Sequence, residues 1–490
     1  MNRRPEEEEE EEEEESDGRL DGRVCVLLYY SMWEREREKE GERRLIRGYK
    51  KYKKCTLHCV YELYVCLCTC TQCYSGDKCE TFNPDCVVVV HGGDPLVFED
   101  YWVANPQVTV SMDAAYRMSA EPYSSAERCL AETGNNAAAC GMLPELEATI
   151  RMLHRVVGNA AVSPEYHIVL ANGSTQLINA AAFALSNNAT ETVIHAGSPP
   201  WYGDYKSTAT FFNSKLFRFS DAGENLSGKR VVEFITHPNN PDGKLRTRTV
   251  GNSIAVWDHA YYWPHFTPIQ GKVGEGDRYR DTDVVMFTLS KMTGHAGTRL
   301  GWAITRDAET ARRMSEFVSM TTGAVPREVQ LRANALLDHI VQTKGAIFKY
   351  ASDEMQRRWK RLDGIFEDQD IFAFAPREPF AVCDFFGKEM SHSPAYGWFT
   401  CLRRTEADFE YPAADVAEKM KYFGIPEDPK YARDMKGCEA HLLAFHNISG
   451  TGPLGYGASR DSLRLELLER PEDFDLLADK LEAMVKMMTE

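Results

Sequence analysis

Six short apolar runs, each stopping at a polar or turn-forming residue, constrain the fold of this chain more than any other feature. They are YHIVLA before Asn172, TVIHA before Gly197, RVVEFIT before His237, SIAVW before Asp258, DVVMFTL before Ser290 and GWAIT before Arg306. Runs of this length, separated by turn signals and longer helical stretches, predict an α/β fold with a mostly parallel sheet buried on both faces. In such sheets ligands gather outside the carboxyl ends of the strands. The residues that end the runs are therefore the first place to look for chemistry.

Helices are expected around that sheet. PELEATIRMLHRVVGNA repeats apolar residues at Leu146, Ile150, Leu153 and Val157, the stripe of an amphipathic helix. Beyond about Phe317 helical patterns dominate, with a late strand in DSLRLELL and a closing helix in EDFDLLADKLEAMVKMM. The expected division is a charged, disordered segment 1–50, a Cys-rich module 51–90, a large domain 91–315 with an N-terminal arm, and a smaller α+β domain 316–490.

The front of the chain differs in kind. Of the formal charge of −17, Glu6 to Glu15 supply ten negatives, which leaves −7 on the other 480 residues. That run reads as a self-repelling, disordered tail. The acidic balance excludes nucleic acid as a partner, since phosphate backbones need basic patches. No apolar run has the length of a transmembrane helix. VCVLLYYSMW has the length of a signal-peptide core, yet an acidic tract precedes it and EREREKE follows, so it does not read as a working signal.

Eight of the fourteen cysteines lie between Cys55 and Cys86. This density predicts a disulfide-stapled module from an oxidising compartment, with zinc as the rival reading of closely spaced thiolates. The cysteines from Cys129 to Cys438 read as core or unpaired residues, with Cys383 and Cys401 a candidate pair.

Four stretches carry chemistry. In ANGSTQLINAAAFAL a strand ends at Ala171 and a helix begins near Ser174, so Gly173, Ser174 and Thr175 present free N–H groups and hydroxyls suited to a phosphate; a plain N-cap is the simpler reading. In HPNNPDG, Asn240 precedes a proline in a strand-end loop. In VWDHAYYWPHF, Asp258 ends a strand among aromatics, where a carboxylate is costly without a partner. In FTLSKMTGHAGTRLGW, Lys291 follows Ser290, and Arg299 follows eight residues later. A lysine that attacks an aldehyde does so as the neutral amine, which desolvation and nearby positive charge favour. An arginine and a serine beside it can hold a dianionic phosphate. Their order along the chain describes a pyridoxal 5′-phosphate site of the aspartate-aminotransferase type.

From Gly93 to the C-terminus the chain resembles the plant alliinase and tryptophan aminotransferase-related family, through GDPLVFEDYW, SPPWYGDY, HPNNPDG, DHAYYWPHFTPI and LSKMTGHAGTRLGWA. The resemblance implies a pyridoxal-phosphate-dependent transferase of fold type I, built as a homodimer. It implies that Lys291 carries the cofactor and moves the Cα proton, that Asp258 pairs with the pyridine nitrogen, and that Tyr261 and Asn240 bond the phenolic oxygen. Gly173, Ser174, Thr175, Thr288, Ser290 and Arg299 would hold the phosphate, Tyr202 rather than Trp201 would stack on the ring, and Arg464 would grip the substrate α-carboxylate. Cys68 to Cys86 resemble the EGF-like module of alliinases, which implies Cys70–Cys79 and Cys73–Cys86 disulfides and a secretory or vacuolar destination. The cytoplasm stays open for want of a signal sequence. The upstream half of that module is degenerate, leaving Cys55, Cys59 and Cys66 without clear partners. Ala120 stands where the family has a tyrosine that reaches the neighbouring subunit's phosphate, with Tyr123 a substitute. Sequons open at Asn188, Asn225 and Asn447, and at Asn172 in the phosphate loop.

Two reactions follow from such a site. One is amino transfer from an aromatic L-amino acid such as tryptophan to a 2-oxo acid; the other is cleavage of S-alkyl-cysteine sulfoxides by a carbon–sulfur lyase. A cofactor-impaired binding protein is the third reading. No metal is expected.

Overall fold

The computed structural model describes residues 24–28, 55–60, 65–76, 79–93, 95–110, 141–186, 190–220, 223–270, 279–402 and 437–489. Ala120, Tyr123, Cys129, Cys140 and Asn188 lie outside them. The chain divides into two compact units, Met1–Cys86 and Val87–Glu490.

In the first unit, three antiparallel strands lie in the order Val24–Leu28, Val65–Cys70, Cys55–Val60. Val24–Leu28 falls inside the stretch expected to be disordered. Cys70 is bonded to Cys79 and Cys73 to Cys86, around a two-residue ladder of Tyr74–Ser75 against Thr81–Phe82. Among the described residues no cluster of His, Cys, Asp or Glu could hold a metal ion.

The second unit is built on a seven-stranded sheet. Its strands are β1 (His167–Ala171), β2 (Val193–Ala196), β3 (Phe217–Phe219), β4 (Val231–Thr236), β5 (Ile254–Asp258), β6 (Val284–Thr288) and β7 (Gly301–Thr305). They lie in the order β1-β7-β6-β5-β4-β2-β3. All run parallel except β7, which is antiparallel to both neighbours. The inward positions of these runs are buried Val, Ala, Met and Phe, which pack under the Ala-rich helix α2 (Gly173–Ser186). Helix α1 (Pro144–Val157) starts on a proline and ends on Gly158 at φ 78°, and it buries the predicted stripe of Leu146, Ile150, Leu153 and Val157.

Register decides where the site falls. Thr236 pairs with Asp258, Asp258 with Met286, Thr288 with Gly301, and Gly301 with Ala171. The carboxyl ends of β4, β5, β6 and β1 thus share one edge with the start of β7. Arg306 was expected at this edge. Because β7 runs the other way, Arg306 emerges at the opposite one, 2.9 Å from Asp281.

A second sheet places β8 (Phe372–Phe374), β9 (Tyr396–Cys401) and β10 (Ser462–Glu466) in the antiparallel order β8-β9-β10. Val88–Val89 pairs with Ile448–Ser449. The Val90 N–H then donates to the Ser449 carbonyl and the Glu466 N–H to the Val90 carbonyl. This stitching carries residues 91–93 alongside β10.

Cys401, at the end of β9, is bonded to Cys438, while Cys383 is free and buried. The expected Cys383–Cys401 pair is thereby corrected: Cys383 is turned inward, where its sulfur accepts the Ile269 N–H. The Cys401–Cys438 bond closes a loop of sequence separation 37. By loop-closure entropy, replacing both cysteines with serine should lower unfolding stability by about 2–4 kcal/mol. Urea titration of the oxidised double variant against the parent measures it.

Candidate active site

Asp258 ends β5 with 4% of its surface exposed. One carboxylate oxygen accepts the Tyr205 hydroxyl at 2.9 Å and the other the Ala260 N–H at 3.1 Å. Burial lifts its pKa from 3.8 to about 6. Among the described residues no lysine, arginine or histidine pairs with it. A buried carboxylate without a counter-cation is costly, so this one fits a ligand that brings a protonated ring nitrogen. Tyr205 is held from behind by Thr236, hydroxyl to hydroxyl at 2.6 Å.

Three residues after the end of β6, Lys291 sits in the short helix α3 (Leu289–Thr293), capped by the Thr288 side chain. Its ammonium nitrogen is half-buried and donates to the Gly93 carbonyl. Thr288 is engaged as that cap: its hydroxyl accepts the Ser290 N–H at 3.2 Å and lies 3.1 Å from the Ser290 hydroxyl. Thr288 therefore orients Ser290, whose own proton remains available to a ligand.

Antiparallel β7 returns Arg299 to this edge. Arg299 is at φ 53°, and its guanidinium lies against the first residue of α2. Gly173 is at φ 81°, a conformation that favours glycine, and a Cβ there would sit 2.5 Å from Arg299 Nη2 and push the guanidinium aside. The positive end of the α2 dipole and a guanidinium thus stand together, with no carboxylate among their described partners. Two positive ends placed so repel each other unless an anion lies between them. Ser174 and Thr175 open the same helix turn. This cradle fits a phosphate.

Asn240 and Tyr261 meet as expected, the amide nitrogen 3.4 Å from the buried phenol. Arg464, on β10, is 6% exposed and donates to Asn240 Oδ1 at 3.1 Å and to the carbonyls of His91 and Gly92 at 3.2 and 3.0 Å. Its guanidinium carbon lies 4.3 Å from the Tyr396 ring centre and 5.5 Å from that of Tyr456. It is a buried cation with its fork turned into the site, not an exposed strand residue.

Tyr202 donates to Asp204 at 2.8 Å and packs edge-on against Tyr205. Trp201 faces elsewhere: its backbone N–H donates to the Tyr456 carbonyl, and its indole lies where a side chain on Gly457 would otherwise be. Of the two, Tyr202 is the one that stands beside Tyr205, the partner of Asp258.

Three contributors were not picked out from the sequence. Tyr205 stands inside SPPWYGDY, so the signal was at hand. Gly93 acts through its carbonyl, which no side-chain pattern reveals. Tyr396 reads as one core aromatic among many in HSPAYGWF, although its hydroxyl meets that of Tyr261 at 2.9 Å.

Comparison with known proteins is consistent with this geometry. A family profile described as Allinase matches residues 88–419. The chain is 32% identical over 429 residues to tryptophan aminotransferase-related protein 3 of Arabidopsis thaliana, covering 85% of this chain and 83% of that one. It is 28% identical over 440 residues to alliin lyase 1 of Allium sativum, covering 86% and 79%. Among solved structures, the aspartate aminotransferase of Rhizobium meliloti superposes with a TM-score of 0.52 at 15% identity, covering 82% of this chain and 92% of that one, a likeness of fold.

Proposed function

The chain belongs to the alliinase and tryptophan aminotransferase-related family, pyridoxal-phosphate-dependent enzymes of fold type I, and on that premise we propose that it moves the amino group of an aromatic L-amino acid to a 2-oxo acid. Tryptophan is the proposed donor and indole-3-pyruvate its product, the auxin-forming type of reaction. The observation that carries this reading is the setting of Arg464, a buried guanidinium flanked by the rings of Tyr396 and Tyr456. Aromatic walls beside a carboxylate site favour an amino acid with a flat apolar side chain.

Pyridoxal phosphate, when bound, supplies a conjugated electron sink. Ser174, Thr175, Ser290 and Arg299 would hold its phosphate, Asp258 its ring nitrogen, Asn240 and Tyr261 its phenolic oxygen, and Tyr202 its face. Arg464 orients the substrate through its α-carboxylate. Lys291 takes the proton from the substrate Cα. A homodimer is part of this proposal.

Carbon–sulfur lyase chemistry is the second reading, favoured by the stapled cysteine pairs ahead of Val87 and their likeness to an alliinase module. It begins with the same proton transfer at Lys291. Purified protein with pyridoxal phosphate, given L-tryptophan and pyruvate or, separately, S-allyl-cysteine sulfoxide, separates the two. Indole-3-pyruvate in the first tube upholds the proposal. Ammonia and pyruvate in the second alone replaces it with the lyase. Failure to bind the cofactor leaves the binding protein.

Arg464→Ala should raise KM for the amino acid about 10- to 100-fold, the equivalent of one charge-assisted hydrogen-bond pair. Steady-state kinetics at saturating oxo acid checks it.

A further inference from the structure

Hydrogen counting around Tyr261 leaves one bond to be assigned. Arginine can only donate. Arg464 faces Asn240 Oδ1, so the amide oxygen of Asn240 points to β10 and its NH₂ to Tyr261. The Tyr261 oxygen therefore already accepts one hydrogen bond. Tyr396 supplies the second contact at 2.9 Å, and among the described residues its hydroxyl has Tyr261 as its hydrogen-bond partner and no other. The rings meet edge-on at 5.4 Å. Both phenols are buried, at 6% and 3% exposure.

The position of Tyr396 is also central. It opens β9 opposite Glu466, which sets its ring diagonally across from Arg464 on the same face of the sheet. A Cβ placed on Gly93 would lie 3.0 Å from Lys291 Nζ and 3.9 Å from the Tyr396 hydroxyl. Tyr396 thus adjoins the groups assigned to the phenolic oxygen, the carboxylate and the transferred proton.

We propose that Tyr396 is a positioning residue with two separable duties: its hydroxyl donates to Tyr261, turning the Tyr261 proton towards the bound cofactor's phenolic oxygen, and its ring holds the Arg464 guanidinium in plane for the substrate carboxylate. This rests on the cofactor reading above. Burial first, and then the neighbouring phenol, keep the Tyr261 hydroxyl protonated far above the ordinary tyrosine range, so it remains a donor. The ionisable groups that face this pair are Arg464 from β10, Lys291 from α3 and Tyr202 from the loop before Asp204.

The first duty has a spectroscopic consequence. The phenolic oxygen carries its fullest negative charge once the adjacent lysine-linked nitrogen has lost its proton. A strong donor on that oxygen favours the deprotonated form and lowers the pH at which the visible band titrates. Tyr396→Phe removes the hydroxyl and keeps the ring. It should raise that titration midpoint by about half a pH unit, the share of one net hydrogen bond, while KM for the amino acid stays within about twofold of the parent.

Tyr396→Leu removes the ring as well. It should add a rise in KM of about fivefold, from the lost cation–ring contact. Because Tyr396 acts through Tyr261, the double variant Tyr261→Phe with Tyr396→Phe should titrate as Tyr261→Phe alone does. That non-additivity is a result no merely structural role produces. A Phe variant that titrates with the parent, or shifts that add in the double variant, overturns the proposal while leaving the function intact. A parent that never acquires a visible band with pyridoxal phosphate removes the functional reading, and this inference with it.

Discussion

Lys291→Ala is expected to fold, to melt close to the parent, and to lose turnover by about four orders of magnitude or more, the range for removing a general base that is also the covalent anchor. The structure explains why so much rests on one amine. Lys291 is the lysine brought to the shared strand edge, placed by an N-capped turn directly after β6 and tethered to the Gly93 carbonyl. Truncation removes one half-buried hydrogen bond, a loss of about 1 kcal/mol in stability. The visible band of the lysine-bound cofactor should vanish, while the phosphate cradle of Ser174, Ser290 and Arg299 still retains the free cofactor. Differential scanning calorimetry, the absorption spectrum and single-turnover product analysis measure the three parts. Turnover within tenfold of the parent would assign the proton transfer elsewhere.

The second large effect concerns Asp258, and its sign depends on the ligand. Alone, the carboxylate is raised to about pH 6 by burial. A raised folded pKa means that this group stabilises the fold below its unfolded value near 4, and that the contribution is lost as pH rises through 6. Without cofactor at pH 7.5, Asp258→Asn should therefore melt no lower than the parent, and any advantage should disappear by pH 4. With pyridoxal phosphate the order reverses. The parent gains a buried ion pair and the variant cannot, which should weaken cofactor retention by about 3–5 kcal/mol, or roughly 10²- to 10⁴-fold. Melting curves with and without cofactor at the two pH values test both halves.

Much of this site was legible because parallel sheets advertise their edges. Asp258, Lys291 and Asn240 each follow a continuous apolar run, and a run buried on both faces cannot be mistaken for a solvent-facing strand. The strand boundaries fell where the runs did for the same reason. What the sequence hid depended on direction and on pairing across distance. Nothing in GWAIT states that it runs against its neighbours, so Arg306 was placed at the wrong edge. Cys401 and Cys438 are bonded because the end of β9 meets the start of a helix, which spacing does not reveal. Tyr396 escaped notice because its hydroxyl matters only beside Tyr261, 135 positions away.

The reversed strand has one more consequence. Lys291 leaves the sheet on β6 and Arg299 comes back to it on β7, with Thr288 locked opposite Gly301. The segment between them is a closed circuit whose two ends are pinned by a ladder, so its residue count is a structural constant. One amino acid added or removed there would turn every side chain of β7 to the other face or withdraw the guanidinium from α2. Natural variation and deliberate engineering should both find this stretch tolerant of substitution at its exposed positions and intolerant of any change in length.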